Sequence, residues 1–203
     1  MRRTYVMGYV LSAAILALAA VLPQHSTAAE RGGAGYRLGD RLPQNVAPAK
    51  AAGIKEINWD ALMPTNWNPM KSMEAINLGA MNDGDPRAQK ALEQMREAWN
   101  NAPVSSALNG THVRIAGFVV PLEGQRGEVS EFLLVPYFGA CIHSPPPPSN
   151  QIIHVFPAMP LAGVKAMDTV WVNGVIETTR SETGMGSAGC RMKAESVAPH
   201  RKP

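Results

Sequence analysis

The segment from Cys141 to Gln151 carries a thiol and an imidazole two residues apart, followed at once by four prolines. Thiolate and imidazole are favoured ligands of zinc and also suit copper. A cysteine beside a histidine can also be an activated nucleophile. Because proline fixes φ and favours extended geometry, the tract is predicted to stiffen the chain behind Cys141 and His143. These two side chains are therefore the first candidates for a functional site.

A metal site is one interpretation of this pair. On an extended strand, residues i and i+2 face the same way, so Cys141 and His143 are expected to converge on one ion. A structural zinc needs four protein ligands and a catalytic zinc usually three. Cys190 and His154 are the candidates for the remaining positions. The predicted ligand set is therefore Cys141, His143, Cys190 and His154, with zinc as the ion.

Four further residues of the segment are expected to support the pair. Asn150 and Gln151 offer amide groups that can orient metal ligands by hydrogen bonds. Pro145 and Pro148 bound the rigid tract. A proline tract can also stiffen a loop without any further function.

Two other interpretations of the cysteines stay open. The chain has only two, Cys141 and Cys190, and in an oxidising compartment an even pair indicates a disulfide. The third interpretation is a reactive Cys141 thiol whose pKa is lowered by His143. No catalytic residue is assigned, because the sequence has no Gly-x-Ser-x-Gly elbow, phosphate-binding loop or His-Glu-x-x-His helix.

The N-terminus has the layout of a secretory signal peptide. Arg2 and Arg3 precede an apolar run over residues 9–22, and small residues allow cleavage near Ala28 or Ala29. The apolar run is short for a membrane span. Removing residues 1–29 takes away two basic residues and no acidic one, so the body is close to neutral. The sequence thus predicts a periplasmic protein with no membrane span and no nucleic-acid partner.

The mature chain is predicted to hold one domain over residues 56–197, after a flexible leader at 30–55 and before a tail at 198–203. A helix is expected over 86–101, where apolar residues recur at spacings of four, three and four. These residues are Ala88, Leu92, Met95 and Trp99. The stripe predicts a helix packed on the rest of its own domain.

Strand-like alternation begins after Asn109-Gly110 and predicts five strands. The first starts near Val113 and ends before a loop at 121–127, and the others are expected at 131–138, 151–156, 169–177 and 190–197. Asn173-Gly174 is a candidate bulge, and the glycine-rich residues 184–189 are expected to form a flexible connector. The fold class is mainly β, a small five-stranded antiparallel barrel of the oligonucleotide/oligosaccharide-binding type with one packed N-terminal helix. An open β-sandwich is the alternative.

Residues 117–123 (GFVVPLE), 132–138 (FLLVPYF) and the Gly-Ala-Cys-Ile-His-x-Pro-Pro-Pro-Pro-x-Asn-Gln signature resemble an exported bacterial family of unknown function. The resemblance extends over about residues 56–197. It implies a periplasmic or lipoprotein context and partnership with ABC-type transporter permeases, some in zinc-responsive gene neighbourhoods. It implies no enzyme activity. Where this chain has Cys190, the family more often has tyrosine, so Cys190 is expected to be particular to this protein.

The sequence therefore predicts a periplasmic metal-binding accessory protein that handles zinc with a transport system or another exported protein. The alternative is a structural or interaction domain with a Cys141–Cys190 disulfide and a docking loop formed by the prolines. Neither hypothesis requires catalysis.

Overall fold

Strands make up most of the chain that the computed structural model describes, which is residues 35–43, 53–68, 86–123 and 127–200. In chain order they are β1 (Lys55–Glu56), β2 (Thr111–Glu123), β3 (Glu128–Val129), β4 (Glu131–Val135), β5 (Ile153–Pro157), β6 (Leu161–Ala162), β7 (Thr169–Glu177), β8 (Ser181–Thr183), β9 (Gly186–Ala188) and β10 (Cys190–Pro199). The α-helix in this part of the chain is α1 (Pro86–Asn100). Three short 3-10 turns lie at Trp59–Leu62, Ser106–Leu108 and Ser149–Gln151.

Five of these strands close into a barrel. The order around the barrel is β2-β4-β5-β10-β7, and β7 pairs back with β2. The prediction of a small five-stranded barrel is confirmed, and the open sandwich is not formed. The prediction that all strands are antiparallel is wrong, because β5 and β10 run parallel. An odd number of strands cannot alternate in direction around a closed ring, so one neighbouring pair must be parallel.

The barrel wall separates two apolar clusters. Along β7, side chains alternate between buried and half-buried, as expected for a sheet that encloses its own core. The inner cluster includes Val113, Ile115, Phe132, Leu134, Ile153, Val172, Cys190 and Met192. The outer cluster covers one side of the barrel and includes Phe118, Val120, Leu133, Val135, Phe138 and Ile152.

The leader packs differently from the expectation of a segment with little structure. Of residues 30–55, the structure describes 35–43 and 53–55. Tyr36 and Leu42 are buried in the outer cluster, and Tyr36 packs edge-on against Phe118. Lys55 begins β1, which pairs in parallel with β2. The described parts of the leader are therefore held against the barrel by apolar contacts and backbone pairing.

Helix α1 begins at Pro86 and ends at Asn100, one residue before the predicted end. Three residues of the predicted stripe, Ala88, Met95 and Trp99, are half-buried, and Ala91 beside them is buried. Leu92, the fourth residue of the stripe, is 44% exposed.

Several strand ends differ from their predicted positions. β2 continues to Glu123 through part of the predicted loop, and β4 stops at Val135. Gln151 belongs to a 3-10 turn, and β5 starts at Ile153. Ala198 and Pro199 extend β10 and pair with β7, so the predicted tail begins later.

The predicted signal peptide (residues 1–29) and residues 201–203 lie outside the described part of the chain. Among the described helices, none has the length and apolar character needed to cross a bilayer.

Candidate functional site

The Cys141–His143 segment is a tight turn and not the extended strand that the metal hypothesis assumed. The Gly139 carbonyl accepts hydrogen bonds from the backbone N–H groups of His143 and Ser144, at 2.8 and 3.1 Å. Cys141 has φ of 63°, in the left-handed region. The thiol packs against the outer apolar cluster, while His143 is exposed. The spacing of two therefore does not by itself direct both side chains to one ion.

Both cysteines are free thiols. Cys141 is packed against the outer cluster, and Cys190 is fully buried in the inner cluster. The predicted Cys141–Cys190 disulfide is absent, because the two side chains lie in different clusters. Burial raises the pKa of Cys141 to about 11 and that of Cys190 to about 12. The raised pKa of Cys141 does not favour the reactive-thiol interpretation, since a reactive cysteine usually has a lowered pKa.

His154 makes hydrogen bonds that leave neither ring nitrogen free. Its Nδ1 lies 3.0 Å from Ser181 Oγ, and its Nε2 lies 3.0 Å from Glu131 Oε2. Arg191 Nε donates to the same Ser181 hydroxyl at 2.9 Å. Burial lowers the pKa of His154, and this outweighs the opposing effect of Glu131. His154 therefore joins β5 to β4 and β8 and is not placed as a metal ligand.

The predicted supporting amides bind backbone carbonyls instead of metal ligands. Asn150 Nδ2 donates to the Pro103 carbonyl at 2.9 Å, and Gln151 Nε2 donates to the Trp59 carbonyl at 2.9 Å. Ser149 Oγ adds a hydrogen bond to the Ala102 carbonyl at 3.2 Å. All three side chains are buried. They fasten the chain segments before β2 to the barrel.

The predicted zinc set does not assemble. Cys190 lies inside the barrel, Cys141 is half-buried on its outer side, and His154 is already paired. In the part of the chain that the structure describes, no three His, Cys, Asp or Glu side chains are grouped so as to hold a metal ion. The physical reason is the turn at Gly139, which removes the extended geometry.

The proline tract borders a groove that the sequence did not reveal. Pro145 and Pro146 are exposed, Pro147 is buried and Pro148 is half-buried. The groove has a volume of about 440 Å³ and lies between α1, the tract and the residues that join β8 to β9. The larger apolar side chains that line it are Leu92, Met95, Trp99, Pro145, Pro146 and Met185.

The third wall of this groove corrects the expectation of a flexible connector at residues 184–189. β8 and β9 form a hairpin with three paired positions, from Ser181↔Ala188 to Thr183↔Gly186. Thr183 Oγ1 closes the turn by donating to the Gly186 carbonyl at 2.7 Å. The available sequence signal was the Gly184-Met185-Gly186 run, because glycines between two short segments are typical of a hairpin turn.

A second cavity, of about 540 Å³, opens at one end of the barrel. It is bounded by the connection after β5, the start of β7 and the end of β10. Its polar side chains include Asp168 and His200.

These features define a small closed β-barrel protein with a helix-bordered surface groove and no group of metal-ligating side chains among its described residues. Residues 59–199 match the family described as a protein of unknown function (DUF3299), and the chain belongs to that family. The predicted membership of a family of unknown function is thus confirmed.

A relative from this family is among the solved structures that resemble the chain. The crystal structure of a DUF3299 family protein from Pseudomonas aeruginosa PAO1 is 35% identical, with a TM-score of 0.58. The match covers 74% of this chain and 98% of that chain. A putative aspartyl-tRNA synthetase from Leishmania major Friedlin is 8% identical, with a TM-score of 0.34, over 78% of this chain and 23% of that chain. That likeness is too slight to bear on function. A comparison with curated proteins finds no match.

Proposed function

We propose that this protein is a non-enzymatic accessory protein of the periplasm, and that the groove beside α1 binds a segment of a partner protein. The observation that carries the proposal is the exposure of Leu92, which lines the groove at 44% exposure. A large apolar side chain facing an apolar groove marks a surface that gains free energy when it is covered.

The walls of the groove are held in place before any partner arrives. The proline tract fixes its own backbone, and Gly186 of the hairpin lies so close to it that an added Cβ would be 3.2 Å from Pro146 Cβ. Arg180 Nη1 donates to Asn101 Oδ1 at 2.6 Å and so ties the start of the hairpin to the end of α1. A preformed groove loses less conformational entropy on binding than a mobile one.

The chemistry of the lining selects the partner. Met95 and Met185 can adapt to aliphatic side chains, and Trp99 adds a broad apolar surface. Arg96 also lines the groove and makes no ion pair with any described residue. The expected ligand is therefore a short peptide segment with aliphatic side chains next to an aspartate or glutamate.

A selection from random peptides displayed on phage tests this directly. Peptides that bind the purified protein are expected to share aliphatic residues beside an acidic one. Arg96→Glu should change the preference from acidic to basic peptides, and Leu92→Asp should abolish binding. Leu38→Ser, at an exposed leucine outside the groove, is the matched control and should bind like wild type. Peptides without an acidic residue, or unchanged binding in Leu92→Asp, would contradict the proposal.

A second candidate function is zinc handling with a transport system, supported by one observation. Cys141 and His143 lie on the same turn, directly before the prolines that border the groove. The chain would supply these two ligands, and a bound partner would supply the others. Because burial raises the pKa of Cys141 to about 11, zinc binding must release the thiol proton and strengthen with rising pH.

Competition with a chromogenic zinc chelator tests the second candidate on the isolated protein. Wild type is expected to hold zinc more tightly than Cys141→Ser and His143→Ala, and by a margin that grows with pH. His112→Ala is the control. Equal zinc affinity in wild type and both ligand variants would remove this candidate.

A further inference from the structure

The cavity at the end of the barrel is independent of the groove and continues into the inner core. Its floor is Val170, which is 3% exposed and belongs to the inner cluster. Leu161, Val164 and Val197 line its sides and are half-buried against the same cluster. The volume of about 540 Å³ is within the ~300–1,000 Å³ typical of small-molecule sites, which often occupy barrel mouths.

His200 borders this cavity and is held by hydrogen bonds of its backbone. Its backbone N–H donates to the Thr169 carbonyl at 2.8 Å, and its carbonyl accepts from Thr169 Oγ1 at 2.8 Å. The imidazole also lies against the Trp171 ring, at 5.2 Å between ring centroids. Trp171 alternates along β7 with the buried Val170, so the imidazole lies on the face of the strand opposite Val170. Its Nδ1 is buried and has no hydrogen-bond partner among the described residues, so His200 forms part of the cavity wall and is not its polar contact.

Asp168 brings a negative charge to the same cavity, one residue before Thr169. One carboxylate oxygen accepts a hydrogen bond from the Lys165 backbone N–H at 2.8 Å, which fixes the side chain. No described lysine, arginine or histidine forms an ion pair with it. The cavity therefore combines apolar walls with one carboxylate that forms no ion pair with a described residue.

We propose that this cavity binds a small aliphatic amine. The alkyl chain lies on Val170, Leu161 and Val197, and the ammonium group pairs with Asp168. An alkyl carboxylate of the same length fits the apolar walls equally well, but its charge repels Asp168. The site is thus selective for a cationic head group over an anionic one.

Calorimetric titration with octylamine, 1-octanol and octanoate tests the proposal, since the three probes differ only in the head group. Wild type is expected to bind octylamine about tenfold more tightly than octanoate, a difference of about 1.4 kcal/mol. Asp168→Asn keeps the acceptor for Lys165 and removes the charge, so the two affinities should become similar.

Leu92→Ser is the control, because Leu92 lines the groove and not this cavity. Its octylamine affinity should equal that of wild type, whatever its effect on peptide binding. Chemical shifts of the Val170 and Val197 methyl groups should move on octylamine addition, which confirms the location. Absence of saturable octylamine binding, or octanoate binding as tightly as octylamine in wild type, would overturn the proposal.

Discussion

Gln151 shows how one buried amide joins distant parts of the chain. Its Nε2 donates to the Trp59 carbonyl, 92 residues away, and Asn150 does the same for Pro103. Such bonds contribute little net free energy while intact, but a buried carbonyl that loses its donor carries a large desolvation cost. The polar end of the Cys141–Gln151 segment is therefore structural, although its residue types suggested a metal site.

Replacing this amide should weaken the whole fold. Gln151→Ala is expected to lower the free energy of unfolding by about 1–3 kcal/mol, because the Trp59 carbonyl loses its donor. Urea denaturation measures the change. Gln94→Ala, on the exposed side of α1, is the matched control and should change stability by less than about 0.5 kcal/mol. Similar losses in both variants would show that the hydrogen bond is not the cause.

The two thiols should differ in reactivity because they are buried on different sides of the barrel wall. With a pKa of about 11, the half-buried Cys141 should react slowly with iodoacetamide at pH 7.5, and its rate should rise about tenfold per pH unit. Cys190, fully buried with a pKa of about 12, should react only after unfolding. Mass spectrometry after timed alkylation distinguishes the two sites. Fast labelling of Cys141 at neutral pH would contradict this prediction.

Among the elements, the β8–β9 hairpin depends on a polar contact as well as on backbone pairing. Ser181 at its start binds His154 from β5 and Arg191 from β10. The same hairpin forms one wall of the groove. We therefore expect the protonation state of His154 to affect the hairpin wall of the groove, although His154 does not line the groove itself.

The stability of the folded protein should fall as the pH is lowered through the range in which His154 titrates. Burial lowers its pKa below the usual value of 6.5, so the unfolded chain takes up a proton that the folded chain does not. The contribution of neutral His154 is complete above pH 6.5 and is lost as the pH falls through the folded-state pKa. Urea denaturation between pH 5 and 7.5 should show this slope.

His154→Gln should make that slope shallower, because it removes the titrating group. Leu92→Ser does not touch the hairpin network and should keep the wild-type slope. If His154→Gln retains the full slope, another group causes the pH dependence.

At the scale of the whole molecule, stability depends on closing the ring of strands. β7 pairs with β2 on one side and with β10 on the other, and a register shift lies between Ala194 and Ser196. Gly174 sits opposite that bulge, where a Cβ would overlap the Lys193 carbonyl oxygen. The absence of a side chain at this position lets the two strands approach each other.

A single added methyl group should therefore destabilise the barrel. Gly174→Ala is expected to cost about 1–3 kcal/mol, because the clash is with backbone that pairs on both sides. Gly184→Ala is the matched control, since a Cβ there meets no atom within 4 Å. Thermal unfolding followed by circular dichroism measures both. Equal melting temperatures for wild type and Gly174→Ala would show that the strands can separate without cost.

Most of the barrel was predictable from sequence because alternation between apolar and other residues is a local property. The strand at 169–177 was placed at its observed bounds, and the strand beginning at Cys190 was extended by only two residues. Closing a ring of five strands requires a parallel pair, which here is β5 and β10. No local sequence pattern reveals this pairing. The leader and the β8–β9 hairpin were missed because their order comes from contacts with residues far away in the chain.

The sequence by itself determined which side chains can bind a metal or form hydrogen bonds. These are Cys141, His143 and the amides of Asn150 and Gln151. Only the tertiary structure decided what each one does, because the neighbours of a side chain are set by packing and not by spacing. The turn at Gly139 replaced the extended geometry expected for Cys141 and His143, and burial assigned the amides to backbone carbonyls. The same packing brought α1, the prolines and the hairpin together around a groove.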